Sequence, residues 1–303
     1  MEKRKIGSLE VSVVGLGCNN FGPRLDEQQS AAVIHAALDA GINFLDTADM
    51  YGTGTSEEFI GRTLGKRRDE VIIATKFGKP MGKGLHGAHP AYIRRAVEGS
   101  LRRLRTDRID LYQQHEPDAQ VPIADTLGAL DELVKAGKVR QIGSSNFSAA
   151  QIREADDMAR ERGTTRVVSV QNEYSLLVRE PERGVLAECE RIGAGFLPFY
   201  PLGSGMLTGK YREGAPLPTG RLTRTGALLP VHAARLARVE ALRAFAGSRG
   251  HSLLELAFSW LLTRPVVSSV IAGASSPEQV RANVAAGTAW RLSEAELAAT
   301  QQL

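Results

Sequence analysis

Gly15-Leu16-Gly17-Cys18-Asn19-Asn20-Phe21-Gly22 is the turn that closes the first strand-like run, Val13–Gly17, and its glycine spacing decides the fold. A doubly wound dinucleotide-binding sheet requires G-x-G-x-x-G here, with an acidic residue about 20 positions further on. Asn20 stands where the third glycine belongs. The first turn is therefore not a phosphate-cradling loop of that kind.

Outward from this turn, seven more short apolar runs follow: Asn43–Thr47, Val71–Thr75, Ile109–Gln113, Val139–Gly143, Val167–Gln171, Gly195–Phe199 and Val267–Ile271. Their continuous apolar character is that of strands covered on both faces. Helical periodicity lies between them, at Asp26–Ala40, His89–Leu104, Ile123–Ala136, Ser148–Arg162, Pro181–Arg191, Ser252–Leu262 and Ser276–Ala286. This alternation predicts an α/β chain folded as a (β/α)8 TIM barrel, one domain over residues 1–303. Glu2 to Ser12 reads as a hairpin turning at Gly7-Ser8, a plug for the barrel floor. Gly203–Arg249 reads as a long connection after strand seven, a Gly/Pro-rich loop to Pro230 and then a helix over Ala233–Ala246. Connections of that length in compact domains usually serve function.

Composition narrows the function. The net charge of +4 is a small excess, with Lys and Arg interspersed among Asp and Glu. That reads as a solvated surface and argues against a nucleic-acid partner, while suiting an anionic cofactor. Cys18 and Cys189 form no Cys-x-x-Cys pair, so no zinc site or disulfide framework is expected. Charged residues follow Met1 and no apolar run approaches 18 residues, so a cytoplasmic protein with no membrane contact is expected. The oligomeric state is open.

Three successive strand ends carry costly polar residues: Asp46 with Tyr51, Lys76, and His115. Buried Asp and Lys need partners. Each alone is equally well a structural ion pair, but barrel topology brings all three ends to one pocket. The set suits proton transfer. A nearby ammonium would lower a tyrosine's pKa from about 10, and a histidine donor would polarise a carbonyl oxygen. No good nucleophile or metal cluster accompanies them, so a hydride would have to come from a cofactor.

With these residues in view, the chain resembles the aldo-keto reductase family over essentially its full length, and also that family's potassium-channel β subunits. The resemblance rests on Gly15-Leu16-Gly17, Leu45-Asp46-Thr47-Ala48 with Tyr51-Gly52, Ala74-Thr75-Lys76, Asp110 to His115, Gly143-Ser144-Ser145-Asn146-Phe147, Val170-Gln171-Asn172, Pro201-Leu202 with Thr208-Gly209-Lys210-Tyr211, and Gly273-Ala274-Ser275-Ser276-Pro277-Glu278-Gln279. It implies an NAD(P)H-dependent reduction of an aldehyde or ketone, with Tyr51 as general acid, Lys76 and Asp46 tuning it, and His115 orienting the carbonyl. It implies that Ser145, Asn146 and Gln171 bind the nicotinamide carboxamide and that Phe199 stacks on the ring. Leu202, Ser204 and Lys210 would meet the pyrophosphate, and Ser275, Gln279 and Asn283 the adenosine. Gly17, Cys18, Asp46, Tyr200 and Gly273 complete the implied cofactor wall.

Departures from the family pattern sharpen the expectation. Gln279 stands where an Arg often grips a 2′-phosphate, and Ala282 where a Glu often contacts adenine. NADP(H) remains favoured, with NAD(H) as the alternative; Arg281 reads more readily as a plain surface arginine than as a substitute grip. Asn19, Gly78 and Glu116 occupy positions often held by tryptophan, so a roomy pocket for a small, polar carbonyl substrate is expected, walled by Phe21, Met50, Tyr51 and His115. The chain stops at Leu303 soon after its last helix, which suggests an uncovered, tolerant pocket. Two other readings remain: a cofactor-binding sensor or partner subunit with little turnover, and an aldolase using Lys76 as a Schiff base.

Overall fold

The computed structural model describes residues 1–212, 214–218, 220–223 and 230–303. Part of the expected Gly/Pro-rich connection, residues 213, 219 and 224–229, lies outside the described residues.

The chain opens with an antiparallel hairpin of β1 (Lys3–Ile6) and β2 (Leu9–Ser12). Ile6 pairs with Leu9 across the two-residue turn Gly7-Ser8, and Gly7 takes the positive φ of 56° that such a turn needs. The barrel follows in strict alternation: β3 (Val14–Gly17), α1 (Glu27–Asp39), β4 (Phe44–Asp46), α2 (Thr55–Leu64), β5 (Ile72–Phe77), α3 (Pro90–Leu104), β6 (Ile109–Gln114), α4 (Ile123–Lys135), β7 (Val139–Ser145), α5 (Ala149–Arg162), β8 (Val167–Glu173), α6 (Val185–Ile192) and β9 (Gly195–Phe199). Beyond the long connection come α7 (Pro230–Ala233), α8 (Leu236–Gly247), α9 (Leu253–Leu262), β10 (Val270–Gly273), α10 (Pro277–Ala289) and α11 (Glu294–Gln301).

Eight parallel strands run in the order β10-β3-β4-β5-β6-β7-β8-β9. The ring closes where the Phe196 amide donates to the Val266 carbonyl (2.7 Å) and Ser268 donates back to Phe196 (3.0 Å). This is the (β/α)8 TIM barrel. Ile6, Leu9 and Val11 of the hairpin pack with Phe44, Ala74, Leu111, Leu197 and Ile271 to seal its amino-terminal end. A second, larger apolar layer lies between barrel and helices and includes Trp260, which is fully buried.

Several boundaries differ from the sequence expectation. α2 has no counterpart in the expected helices, because its apolar stripe is broken by Thr, Ser and Gly. The expected Pro181–Arg191 helix is split by Gly184 at φ 149°, leaving a short 3-10 turn ahead of α6. Four strands run past their apolar stretch: β5 through Phe77, β6 through Gln114, β7 through Ser145 and β8 through Glu173. The last strand ends two residues later than expected, at Gly273. Polar side chains do not end a ladder made of backbone groups.

Candidate active site

The strands' carboxyl ends open into a cavity of about 1060 Å³, whose wall includes Gly17, Asp46, Tyr51, His115, Ser145, Gln171, Phe199 and Gly273. Barrel loops at this end are where such folds assemble sites. Beneath the wall lies Lys76, fully buried on β5, with Nζ 2.8 Å from Asp46 Oδ2 and donating to the Thr47 carbonyl at 2.8 Å. Asp46 Oδ1 accepts from the Gln171 side-chain amide at 2.9 Å and lies 3.5 Å from that of Gln113. Charge-assisted hydrogen bonds on both carboxylate oxygens offset the cost of burying the ion pair.

Tyr51 is carried on a loop that the ladder itself holds. Thr47 and Asp49 donate to the Ala74 and Lys76 carbonyls (2.8 and 3.1 Å), and Tyr51 donates to Ala48 (3.1 Å). The Lys76 ammonium lies 5.3 Å from the centre of the Tyr51 ring, and the His115 imidazole meets that ring edge-on at 5.9 Å. Asp46, Tyr51, Lys76 and His115, from three separate strand ends, are thus brought into one constellation.

The protonation states follow from burial and charge. Burial raises the Tyr51 phenol above its ordinary value of 10, outweighing the stabilisation of phenolate by Lys76. This corrects the expectation of a net lowering; Lys76 opposes the rise without reversing it. Burial works to push Lys76 down, but Asp46 and Tyr51 outweigh it and hold the lysine above 10.5. Burial, reinforced by Lys76 and Lys79, drives His115 down to about 2, so its ring is neutral near pH 7. His115 Nδ1 is buried with no hydrogen-bond partner among the described residues.

The remaining wall is polar and strained. The Asn146 side chain donates to the His115 carbonyl (2.9 Å) and to Ser145 Oγ (3.1 Å) from a backbone at φ 61°. Tyr200 and Ser204 also take positive φ, 48° and 57°. Such strain in non-glycine residues concentrates at functional sites. Cys18, Asn19, Met50, Leu202, Ser204 and Lys210 line the same cavity, as do Ser275, Gln279 and Asn283 near the start of α10. Gln279 Oε1 accepts from the Ser275 amide (2.8 Å) and hydroxyl (3.0 Å). Arg281 is paired with Glu278 at 2.8 Å and does not line the cavity.

A dinucleotide fits this set of groups. Gln171 Oε1 makes no hydrogen bond among the described residues while its amide nitrogen is committed to Asp46. It is therefore a fixed acceptor in the wall. At the other end of the cavity, the first turn of the 13-residue helix α10 borders the wall through Gln279.

Three expected pocket residues do not line the cavity. Phe21 is fully buried in the apolar layer, because its turn folds back onto the barrel. A Cβ at Gly78 would approach the Gly87 carbonyl and the His115 amide, so that position is directed at backbone. Glu116 is held in a 3.8 Å ion pair with Lys79.

Sequence reasoning passed over Gln113 and Asp49. Gln113 shares the inward register of Leu111 on β6 and accepts from Ser169 Oγ at 3.3 Å; its polar inward position was the available signal. Asp49 is buried with Oδ1 unpartnered among the described residues and Oδ2 3.5 Å from the Tyr92 hydroxyl. Burial first and the neighbouring Glu57 second push its carboxyl up to about 7.

Barrel, cavity and polar constellation together describe a barrel oxidoreductase. The Aldo/keto reductase family model matches residues 13–303, and the chain belongs to that family. It is 34% identical over 298 residues to a probable voltage-gated potassium channel subunit beta of Oryza sativa subsp. japonica, covering 94% of this chain and 91% of the relative. Among solved structures it is similar to the holo form of aldo-keto reductase AKR11C1 from Bacillus halodurans, at 34% identity and a TM-score of 0.84, covering 100% and 96% of the two chains. It is likewise similar to the glycerol dehydrogenase AKR11B4 from Gluconobacter oxydans, at 33% identity and a TM-score of 0.85, covering 99% and 94%.

Proposed function

We propose that this oxidoreductase reduces an aldehyde or ketone to an alcohol, with NADP(H) as cofactor and weak discrimination against NAD(H). The observation that carries the reading is the buried Asp46–Lys76 pair under Tyr51, with neutral His115 at the ring's edge. When bound, the reduced nicotinamide would supply the hydride. Ser145, Asn146 and Gln171 would hold its carboxamide, Phe199 would stack on its ring, and Lys210 with Leu202 and Ser204 would lie along the pyrophosphate.

Tyr51 donates the proton to the developing alkoxide. A phenol raised above 10 is fully protonated near pH 7, so the acid is loaded before the substrate arrives. Lys76 stabilises the phenolate left behind, and Asp46 with Thr47 fixes the ammonium in place. Neutral His115 donates to the carbonyl oxygen without adding a buried charge. The fixed positions of these groups keep their dipoles oriented, and misplacement by about 1 Å could cost roughly 100-fold in rate. The weak cofactor discrimination is supported by Arg281, which is tied to Glu278, and by neutral Ser275, Gln279 and Asn283 on the wall.

The aldolase alternative needs a lysine with a lowered pKa. Lys76 is raised instead and lies behind Asp46, which supports the reductase reading. The similarity to a channel β subunit keeps the sensor reading specific. Stopped-flow oxidation of protein-bound NADPH across an aldehyde panel separates the two. Turnover with at least one carbonyl is expected; none with any carbonyl would favour the sensor.

A further inference from the structure

Behind the loop that carries Tyr51 lies a second polar cluster, in the layer between barrel and helices. Asp49 comes from that loop, Glu57 from α2, Tyr92 and Arg103 from α3, and Tyr112 from β6. Asp49, Glu57 and Tyr112 are fully or almost fully buried, and none of the five lines the cavity. The charges do not balance. Glu57 Oε2 accepts from Arg103 Nε (2.7 Å), and Oε1 from the Thr75 hydroxyl (2.6 Å). Arg103 is wedged between two glycines. A Cβ at Gly54 would fall 2.6 Å from its Cδ, and one at Gly99 3.0 Å from its Nη1. That packing keeps the guanidinium on Glu57. Asp49 is left without a cation: Oδ2 has a 3.5 Å contact with the Tyr92 hydroxyl, and Oδ1 has no partner among the described residues. The buried Tyr112 hydroxyl is likewise unpartnered among them. Arg95 lies out at the Tyr92 ring, 5.7 Å from its centre, and Lys76 turns its ammonium to Asp46 and Thr47 instead.

Two carboxyl groups thus share one cation, and the cluster is neutral only when one of them carries a proton. Asp49, the one without a cation, holds it. Burial and then Glu57 raise its carboxyl to about 7, against Arg103, the Met50 amide and Tyr92. Its backbone ties this proton to the reacting centre. The Asp49 amide donates to the Lys76 carbonyl (3.1 Å), the Tyr51 amide to Ala48 (3.1 Å), and the Ser56 amide to the Tyr51 carbonyl (3.2 Å). Thr53, in the same loop, is strained at φ 53°. An ionised Asp49 would be repelled by Glu57. It can gain water only by drawing its segment off the Lys76 carbonyl, and Tyr51, two residues on, moves with it. We propose that Asp49 is a positioning residue for Tyr51: the proton on its carboxyl keeps the phenol beside Lys76, and loss of that proton displaces it. This rests on the reductase reading and adds a control that three of the reacting groups lack. Tyr51 and Lys76 titrate above 10 and His115 near 2, so none of these changes charge near pH 7.

The test is the single-turnover rate at which a reducible aldehyde oxidises protein-bound NADPH, followed from about pH 5.5 to pH 8.5. In the wild type that rate should fall by about tenfold as pH rises through 7, because the acid is moved off its position. Asp49→Asn, neutral at every pH, should keep its low-pH rate up to pH 8.5. Glu57→Gln removes the like charge and releases Arg103, so the inflection should move to lower pH. A wild-type rate that is flat through pH 7 overturns the proposal and leaves the reductase reading intact. An inflection that survives in Asp49→Asn overturns it as well. Should Asp49→Asn not fold, Glu57→Gln decides: an inflection that does not move overturns the proposal. If no aldehyde is reduced at any pH, the reductase reading fails, and hydrogen exchange then decides the loop alone. The peptide covering residues 47–55 should exchange faster in the wild type than in Asp49→Asn at pH 8.5, and equally at pH 6. Equal exchange at both pH values overturns the proposal.

Discussion

The two ends of the cavity are built on different physical terms. At the Tyr51 end, a buried ion pair is held by hydrogen bonds from four strands and loops, and its members have no exposure to spare. At the α10 end, the wall is Ser275, Gln279 and Asn283, neutral groups in which Gln279 mainly caps its own helix turn. The first end cannot be altered without leaving a buried charge uncompensated or, on the proposed function, losing the proton donor. The second can exchange residues at small cost. Tolerance to substitution should therefore rise steeply from Tyr51 towards Gln279.

The sharpest way to break this contrast is Tyr51→Phe. Loss of a positioned acid should lower kcat by about 10³-fold while NADPH affinity, read by fluorescence titration, stays nearly constant. A kcat within threefold of wild type would remove Tyr51 from the chemistry. Lys76→Met comes next. It leaves Asp46 buried and unpaired, and urea denaturation should show a loss of about 3–5 kcal/mol. A loss below 1 kcal/mol would mean that water or a shifted carboxylate relieves the charge.

Asp49 tests the rigid end through pH. Its carboxyl rises from 3.8 to about 7 on folding, so its protonated form stabilises the native state below pH 3.8, and that contribution is lost as pH rises through 7. Asp49→Asn should therefore gain stability relative to wild type between pH 5 and pH 8, by up to about 4 kcal/mol. A pH-independent difference would refute the buried acid. His115 runs the opposite way. Its pKa falls from 6.5 to about 2 on folding, so its contribution is present above 6.5 and is lost as pH falls below it. The smallest effect belongs to the other end of the cavity. Gln279→Arg should improve the NADPH-to-NADH affinity ratio by about tenfold, through one partly exposed charge-assisted bond. An unchanged ratio would place the grip on the 2′-phosphate elsewhere.

Much of the site was legible before the fold was known, because its residue types are expensive in the places where they occur. Asp46 and Lys76 on apolar runs demanded partners, and barrel topology left one place for those partners to meet. The strand lengths were not legible. Lys76 and Ser145 lie within β5 and β7, where an apolar run has already ended. The departures at Phe21, Gly78 and Glu116 have a similar origin, since position along a loop does not say which way a side chain turns.

What this sequence determined by itself was the alternation of strand and helix, the turn that is no phosphate cradle, and the identity of the four polar residues at the strand ends. These depend on local periodicity and on desolvation cost, both of which are written residue by residue. Tertiary structure alone decided the protonation of Tyr51 and His115 and the burial of Asp49. Those depend on how many charges and how much water surround a group, and that number exists only once distant segments have packed together.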